Sequence, residues 1–299
     1  DPTSEDGLHS NAITSLERAY NGDIIVGTYG GGLSVVKPNG SVARTFRSIE
    51  GSNISDRVFA LLNDKDNGVL VANENGIAKL DSDLTNYQNT SFASLALGDE
   101  SNLTNLGTIE VQHGPNNSLW VGTLRYGLIK ADRNSKGEIN SVTNKSRALN
   151  LPSNAVMGIH MDATGQYWLS HNEGLTRFNP ETLKVRHYTN KFGANNGEFL
   201  VGSSFSTPRG LIYFGGFRGV VAVDASAADQ EERPVKVGLS SISVMGDYRE
   251  FPNDLSNYTL TLGSDEKIAD IEFFGSEYVA PEVIQYQYRI LGFIDNWIN

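Results

Sequence analysis

Aromatic rings and hydrogen-bonding side chains meet in a set of short loops: Tyr29, Arg57, Asn75, Arg125, Tyr126, Asn154, Asn172, Glu173, Phe217 and Arg218. The chemistry open to them is recognition, not bond cleavage. A ring can stack on the apolar face of a sugar-like molecule while Arg, Asn and Glu bond its hydroxyls. These positions vary while their surroundings repeat. Tyr29 corresponds to Glu74-Asn75, to Leu124-Arg125-Tyr126, to Asn172-Glu173 and to Phe217-Arg218. Asn11, Arg57, Asn154 and Glu198 lead into the same repeating unit. Loops on a rigid scaffold commonly carry function, which makes these residues the expected ligand-binding set. The plainer reading is that they are ordinary exposed loop residues.

Reaction chemistry finds little support. The chain has no cysteine, which excludes disulfides, thiolate metal sites and thiol nucleophiles. His9, His113, His160, His171 and His187 are scattered without metal-ligand spacing. Gly30-Gly31-Gly32 has no Lys-Ser/Thr after it and reads as a turn, not a phosphate loop. Asp64-Lys65-Asp66-Asn67-Gly68 lacks the distal Glu of a calcium loop. No Gly-x-Ser-x-Gly elbow is present. No catalytic residue, metal or cofactor is therefore expected. The net charge of −11 opposes binding to a phosphate backbone or an anionic membrane. No run of 18 apolar residues offers a membrane span.

The loops belong to a unit that recurs five times: DIIVGT-YGG-GLSVV, GVLVAN-EN-GIAKL, SLWVGT-LRY-GLIKA, QYWLSH-NE-GLTRF and LIYFGG-FR-GVVAV. The closing glycines, Gly32, Gly76, Gly127, Gly174 and Gly219, follow one another at 44, 51, 47 and 45 residues. A period of about 40–50 residues is that of a four-stranded propeller blade. An apolar run precedes each pair, and turn residues such as Asn21-Gly22 and Thr164-Gly165 join the runs. Trp120, Trp168 and Tyr213 share one register of the second strand and are expected in blade-to-blade packing. From about residue 236 the texture changes to alternating strands without closing glycines. The reading is an all-β chain: a β-propeller over 1–235, then the start of an Ig-like β-sandwich over 236–299. Phe273, Tyr278, Tyr286, Tyr288 and Trp297 are expected in the core of that sandwich.

Several of these motifs resemble a known family. Leu119–Thr123 before Gly127-Leu128, with the lead-ins Asn11-Ala12-Ile13 and Asn154-Ala155-Val156, resembles the two-component regulator propeller repeat. Asn196-Gly197-Glu198-Phe199 with Leu211–Gly216 and Gly219 is similar to the terminal blade of such sensors. Ile271-Glu272-Phe273, Tyr278, Pro281-Glu282, Tyr286, Tyr288, Leu291-Gly292-Phe293 and Trp297 resemble the triple-tyrosine β-sandwich that follows those propellers.

The resemblance implies a periplasmic sensor module, part of a longer receptor with a histidine kinase or diguanylate cyclase output. It implies a small polar ligand such as an oligosaccharide, a homodimer in the full receptor, and no enzyme activity in this portion. Two other classes remain open. A propeller lyase or hydrolase would need acid/base or metal groups in the channel. A protein-interaction scaffold would show a broad apolar patch.

Overall fold

The structure, a computed structural model, describes residues 7–48, 55–64, 68–90, 106–189, 198–228, 236–256, 258–275, 286–291 and 294–298. The chain divides into two compact units, Asp1–Ala228 and Asp229–Asn299.

The first unit is a β-propeller-type stack of antiparallel sheets. Blade 1 comprises β1 (Ile13–Arg18), β2 (Ile24–Thr28), β3 (Leu33–Val36) and β4 (Val42–Phe46). Blade 2 comprises β5 (Val58–Asn63), β6 (Val69–Asn73), β7 (Gly76–Leu80) and β8 (Tyr87–Thr90). Blade 3 holds β9 (Thr108–His113), β10 (Leu119–Thr123), β11 (Leu128–Arg133) and β12 (Ile139–Asn144). Blade 4 holds β13 (Val156–Met161), β14 (Tyr167–His171), β15 (Gly174–Phe178) and β16 (Val185–Tyr188). In these four the strands pair in chain order. Blade 5 has three strands among the described residues: β17 (Phe199–Ser206), β18 (Leu211–Gly216) and β19 (Gly219–Asp224). A short helix, α1 (Ala225–Ala228), follows.

The alternation of the second strand decides how blades stack, because successive side chains point to opposite faces. Leu119 and Val121 pack back onto Leu70 and Ala72 of blade 2. Trp120, between them, packs forward onto Tyr167 and Phe178 of blade 4. Its ring lies 5.1 Å from that of Phe178, edge to face. Trp168 repeats the pattern, reaching Phe199, Ile212 and Phe214 of blade 5. Its indole N–H also donates to Asp162 Oδ2 at 2.9 Å, and Arg177 Nη2 donates to the same oxygen at 2.9 Å. Ile25 and Leu70 fill the equivalent places in blades 1 and 2. The hydrophobic clusters therefore join blade 1 to 2, 2 to 3, 3 to 4 and 4 to 5. Among the described residues, no cluster joins blade 5 to blade 1. Tyr213, in the tryptophan register, is only half-buried, and Phe205 opposite it is 62% exposed.

The first strands lie side by side, with β1 against β5, β5 against β9, β9 against β13 and β13 against β17. In β17 a bulge between Phe199 and Ser204 breaks the register with β18. The bulge brings Gly202 next to β1: a Cβ there would stand 3.7 Å from the Thr14 carbonyl oxygen.

The closing glycines have a steric reason. Gly32 and Gly174 have φ of 74° and 128°. A Cβ on them would also collide with the Phe46 and Tyr188 carbonyl oxygens of the fourth strands. Gly219 keeps the positive φ, at 127°, but has nothing within 4 Å of its Cβ position.

The second unit contains β20 (Val237–Val244), β21 (Asp247–Tyr248) and β22 (Ala269–Gly275) in the order β21-β20-β22. A separate pair joins β23 (Tyr288–Ile290) to β24 (Ile294–Ile298). Ile242 and Val244 are buried. Phe273, Tyr286 and Tyr288, expected as core, are exposed, and Tyr286 meets Phe273 edge-on at 5.3 Å. Tyr278, Pro281-Glu282 and Gly292-Phe293 lie outside the described residues. Among the described residues, no helix is long and apolar enough to cross a membrane.

Candidate ligand-binding face

In blades 1 to 4 the loop between second and third strands is held by the last side chain of the second strand. Thr28 Oγ1 donates to the Gly32 carbonyl (3.0 Å) and accepts from the Gly31 N–H (3.1 Å). Thr123 Oγ1 does the same with the Gly127 carbonyl (3.0 Å) and the Tyr126 N–H (2.9 Å). In blade 2, Asn73 Oδ1 accepts from the Asn75 N–H at 2.8 Å. In blade 4, His171 Nδ1 accepts from the Glu173 N–H at 3.2 Å. Hydroxyl, amide and imidazole thus do one job at matching positions.

A belt of backbone bonds then ties the loops to the lead-in segments. The N–H groups of Tyr29, Glu74, Leu124 and Phe217 donate to the carbonyls of Ala12, Arg57, Gly107 and Glu198, the residues just before β1, β5, β9 and β17. Links between blades complete it: Gly32 N–H to Asp56, Gly107 N–H to Glu74, and Gly127 N–H to Asn154 carbonyls. Because the belt is made by the backbone, it leaves the side chains of its residues to other contacts.

At the junction of blades 1 and 2 they form a group. Tyr29 bridges to Arg57 through the backbone. The Arg57 guanidinium carbon lies 5.1 Å from the Tyr29 ring centroid, a cation–π contact. Arg57 Nη1 also donates to Glu74 Oε1 at 2.8 Å. Phe59 stands edge-on to Tyr29 at 6.2 Å. Tyr29 remains 49% exposed. The result is an accessible ring held from behind, beside a fixed pair of opposite charges.

The other expected residues are spread along the loops. Arg125, Asn154, Asn172, Glu173, Phe217 and Arg218 are exposed, Phe217 at 72%. Asn75 is half-buried. Tyr126 is half-buried against the core between blades 2 and 3, and its carbonyl accepts from Asn144 Nδ2 at 2.8 Å. Its truncation would therefore affect folding as well as any ligand. Glu74 belongs with the junction group on equal terms with Arg57. Phe59 carried no loop signal, because it sits inside β5.

Two buried titratable features also escaped the sequence. Glu110, in β9, pairs with Gly122 at a column that elsewhere holds Ser15, Ala60 and Gly158. Gly122 faces Val156 of blade 4, so the carboxyl lies at the junction of blades 3 and 4. Burial pushes it up to about 8 despite the Val111 N–H it accepts. In blade 4, His171 Nε2 lies 2.8 Å from Thr176 Oγ1, which lies 2.8 Å from His187 Nδ1. Burial, with His187 nearby, brings His171 down to about 4; burial also lowers His187, against the pull of the Asn150 carbonyl. The misplaced acid was readable by aligning the units, whereas the histidine chain needed the pairing of β15 with β16.

No family model matches the chain. A protein described as histidine kinase P4, from Formosa agariphila, is 27% identical over 166 residues, covering 48% of this chain and 11% of that protein. The chain thus spans about a tenth of that relative's length. Among solved structures, the extracellular domain of a protein described as a hybrid two-component system from B. thetaiotaomicron matches 97% of this chain and 45% of its own. Its TM-score is 0.50 at 16% identity. A second such domain from the same organism matches 96% of this chain and 51% of its own, with a TM-score of 0.58 at 13% identity. A gluconolactonase from Xanthomonas campestris matches 70% of this chain and 71% of its own, with a TM-score of 0.51 at 11% identity. At such identities the likeness is one of fold.

Proposed function

We propose that this chain is the ligand-sensing part of a membrane signalling receptor, held outside the cytoplasm, and that it binds its ligand on the loop face of the propeller. The observation that carries the reading is the junction group of Tyr29, Arg57 and Glu74, set on a belt of backbone bonds. The sequence likeness to a histidine kinase and the fold held in common with extracellular domains of two-component systems support it. The ligand is a small polar molecule with an apolar face, of which an oligosaccharide is the leading case. Tyr29 and Phe217 offer rings for stacking; Arg57, Asn75, Arg125, Asn154, Asn172, Glu173 and Arg218 offer hydrogen bonds, with Tyr126 at the margin. The periplasm is the compartment, and the receptor works as a homodimer with a kinase or cyclase output. This part catalyses no reaction. A ligand signals through it only by differing in affinity for two arrangements of the receptor.

A thermal-shift screen against oligosaccharides, sugar acids and amino acids tests the reading. A ligand specific for the folded chain at one hundred times its Kd adds about 2.7 kcal/mol of stability. Tyr29→Ala and Arg57→Ala should each abolish most of the shift while the unliganded Tm moves little. A shift that survives both substitutions places the site elsewhere.

A further inference from the structure

The blade 4 loop differs from its counterparts in what fastens it. Glu173 N–H can only donate, so His171 Nδ1 must accept, and the ring proton of neutral His171 sits on Nε2. Nε2–H then donates to Thr176 Oγ1, and the Thr176 hydroxyl donates to His187 Nδ1. The direction of the whole chain is fixed by one backbone amide. A proton added to Nδ1 would set two donors against each other across 3.2 Å. Thr28, Asn73 and Thr123, which hold the loops of blades 1 to 3, have no such second state.

Among the described residues, no buried carboxylate is held against the ring to offset that proton. Val156 of β13 pairs with His171 on one side. On the other, β15 presents Thr176 and β16 presents His187, itself titratable and repelling a second positive charge. The segment before blade 4 faces His187 with the Asn150 carbonyl and carries Lys145 and the exposed Arg147. Glu173 follows on the loop itself, exposed to solvent.

We propose that His171 is an acid-labile fastener of the candidate ligand loop: only the neutral ring holds the Glu173 amide, so acidification frees Asn172 and Glu173 while the loops of blades 1 to 3 stay closed. His171 is a positioning residue, acting on a ligand through the loop it holds. The inference rests on reading that loop as part of the binding face, but its test requires no ligand.

The test is hydrogen exchange of the Glu173 amide in the intact chain between pH 7 and 4, corrected for intrinsic rate. Because a ring released from the Glu173 amide takes a proton more readily than one that holds it, acidification over that range should raise the open fraction at least ~10-fold. His171→Asn copies the residue of blade 2 and His171→Thr that of blades 1 and 3, so both should fold and keep the loop closed. Strong acid dependence in the wild type that is flat in both variants supports the proposal. Equal dependence in wild type and variants, or a flat wild-type profile, overturns it. Because no ligand enters, a blank thermal-shift screen leaves this outcome untouched.

Discussion

Glu110 shows how one side chain can set the pH response of a fold. Its column needs little volume, and the absence of a Cβ at Gly122 makes room for the acid. The buried carboxyl keeps its proton to about 8, whereas an unfolded chain releases it near 4.5. A raised carboxyl is fully tolerated below the unfolded value, and stability falls as pH rises from there toward about 8. His171 acts with the opposite sign. Its lowered value leaves stability intact above about 6.5 and removes it as pH falls toward about 4. Glu110→Gln keeps the Val111 hydrogen bond without the charge. It should stabilise the chain by roughly 2–3 kcal/mol at pH 7 and hardly at all at pH 4, as read by urea unfolding at both values. An equal gain at both pH values would point to packing instead.

At the scale of the element, the closing glycine separates two demands that coincide in blades 1 and 4. Gly174 and Gly219 hold nearly the same positive φ, but only Gly174 also lies under a fourth-strand carbonyl. Ala at Gly219 should cost about 1–2 kcal/mol of backbone strain. At Gly174 the cost should exceed that by at least ~1 kcal/mol, because the Tyr188 carbonyl must also move. Denaturant melts of both variants decide the comparison, and equal costs would show that the fourth strand yields freely. The recurrence of these glycines made the blades legible in the sequence, since it reflects a local backbone need. The bulge of β17 was not legible. Phe199–Ser206 reads as one continuous run, and its break appears only in the register with β18.

Across the whole first unit, the tryptophan register measures whether a blade has a neighbour ahead of it. Trp168 is buried against blade 5 and bonds Asp162, whereas Tyr213 stands half-buried with Phe205 exposed opposite. Trp168→Ala should cost about 3–5 kcal/mol. Tyr213→Ala should cost about 1–2 kcal/mol, because less of its surface is withdrawn from water. Comparable losses would mean that blade 5 is covered on its outer face in solution. The sequence identified this register as packing without revealing its direction, which depends on the order of blades. The loop residues were legible as a set because they vary where all else repeats. Their grouping was not, because the contact of Arg57 with both Tyr29 and Glu74 spans two blades.

The belt on the loop face has a consequence for how such a molecule can change over generations. Its donors at Tyr29, Glu74, Leu124 and Phe217 use the peptide N–H alone, so one chain carries two aromatics, an acid and an aliphatic at one structural position. Only proline is barred there, for want of that hydrogen. Codon changes at these positions can therefore rewrite the exposed loop surface while the chassis beneath stays fixed, and the chemistry of that surface can diverge faster than the frame that displays it.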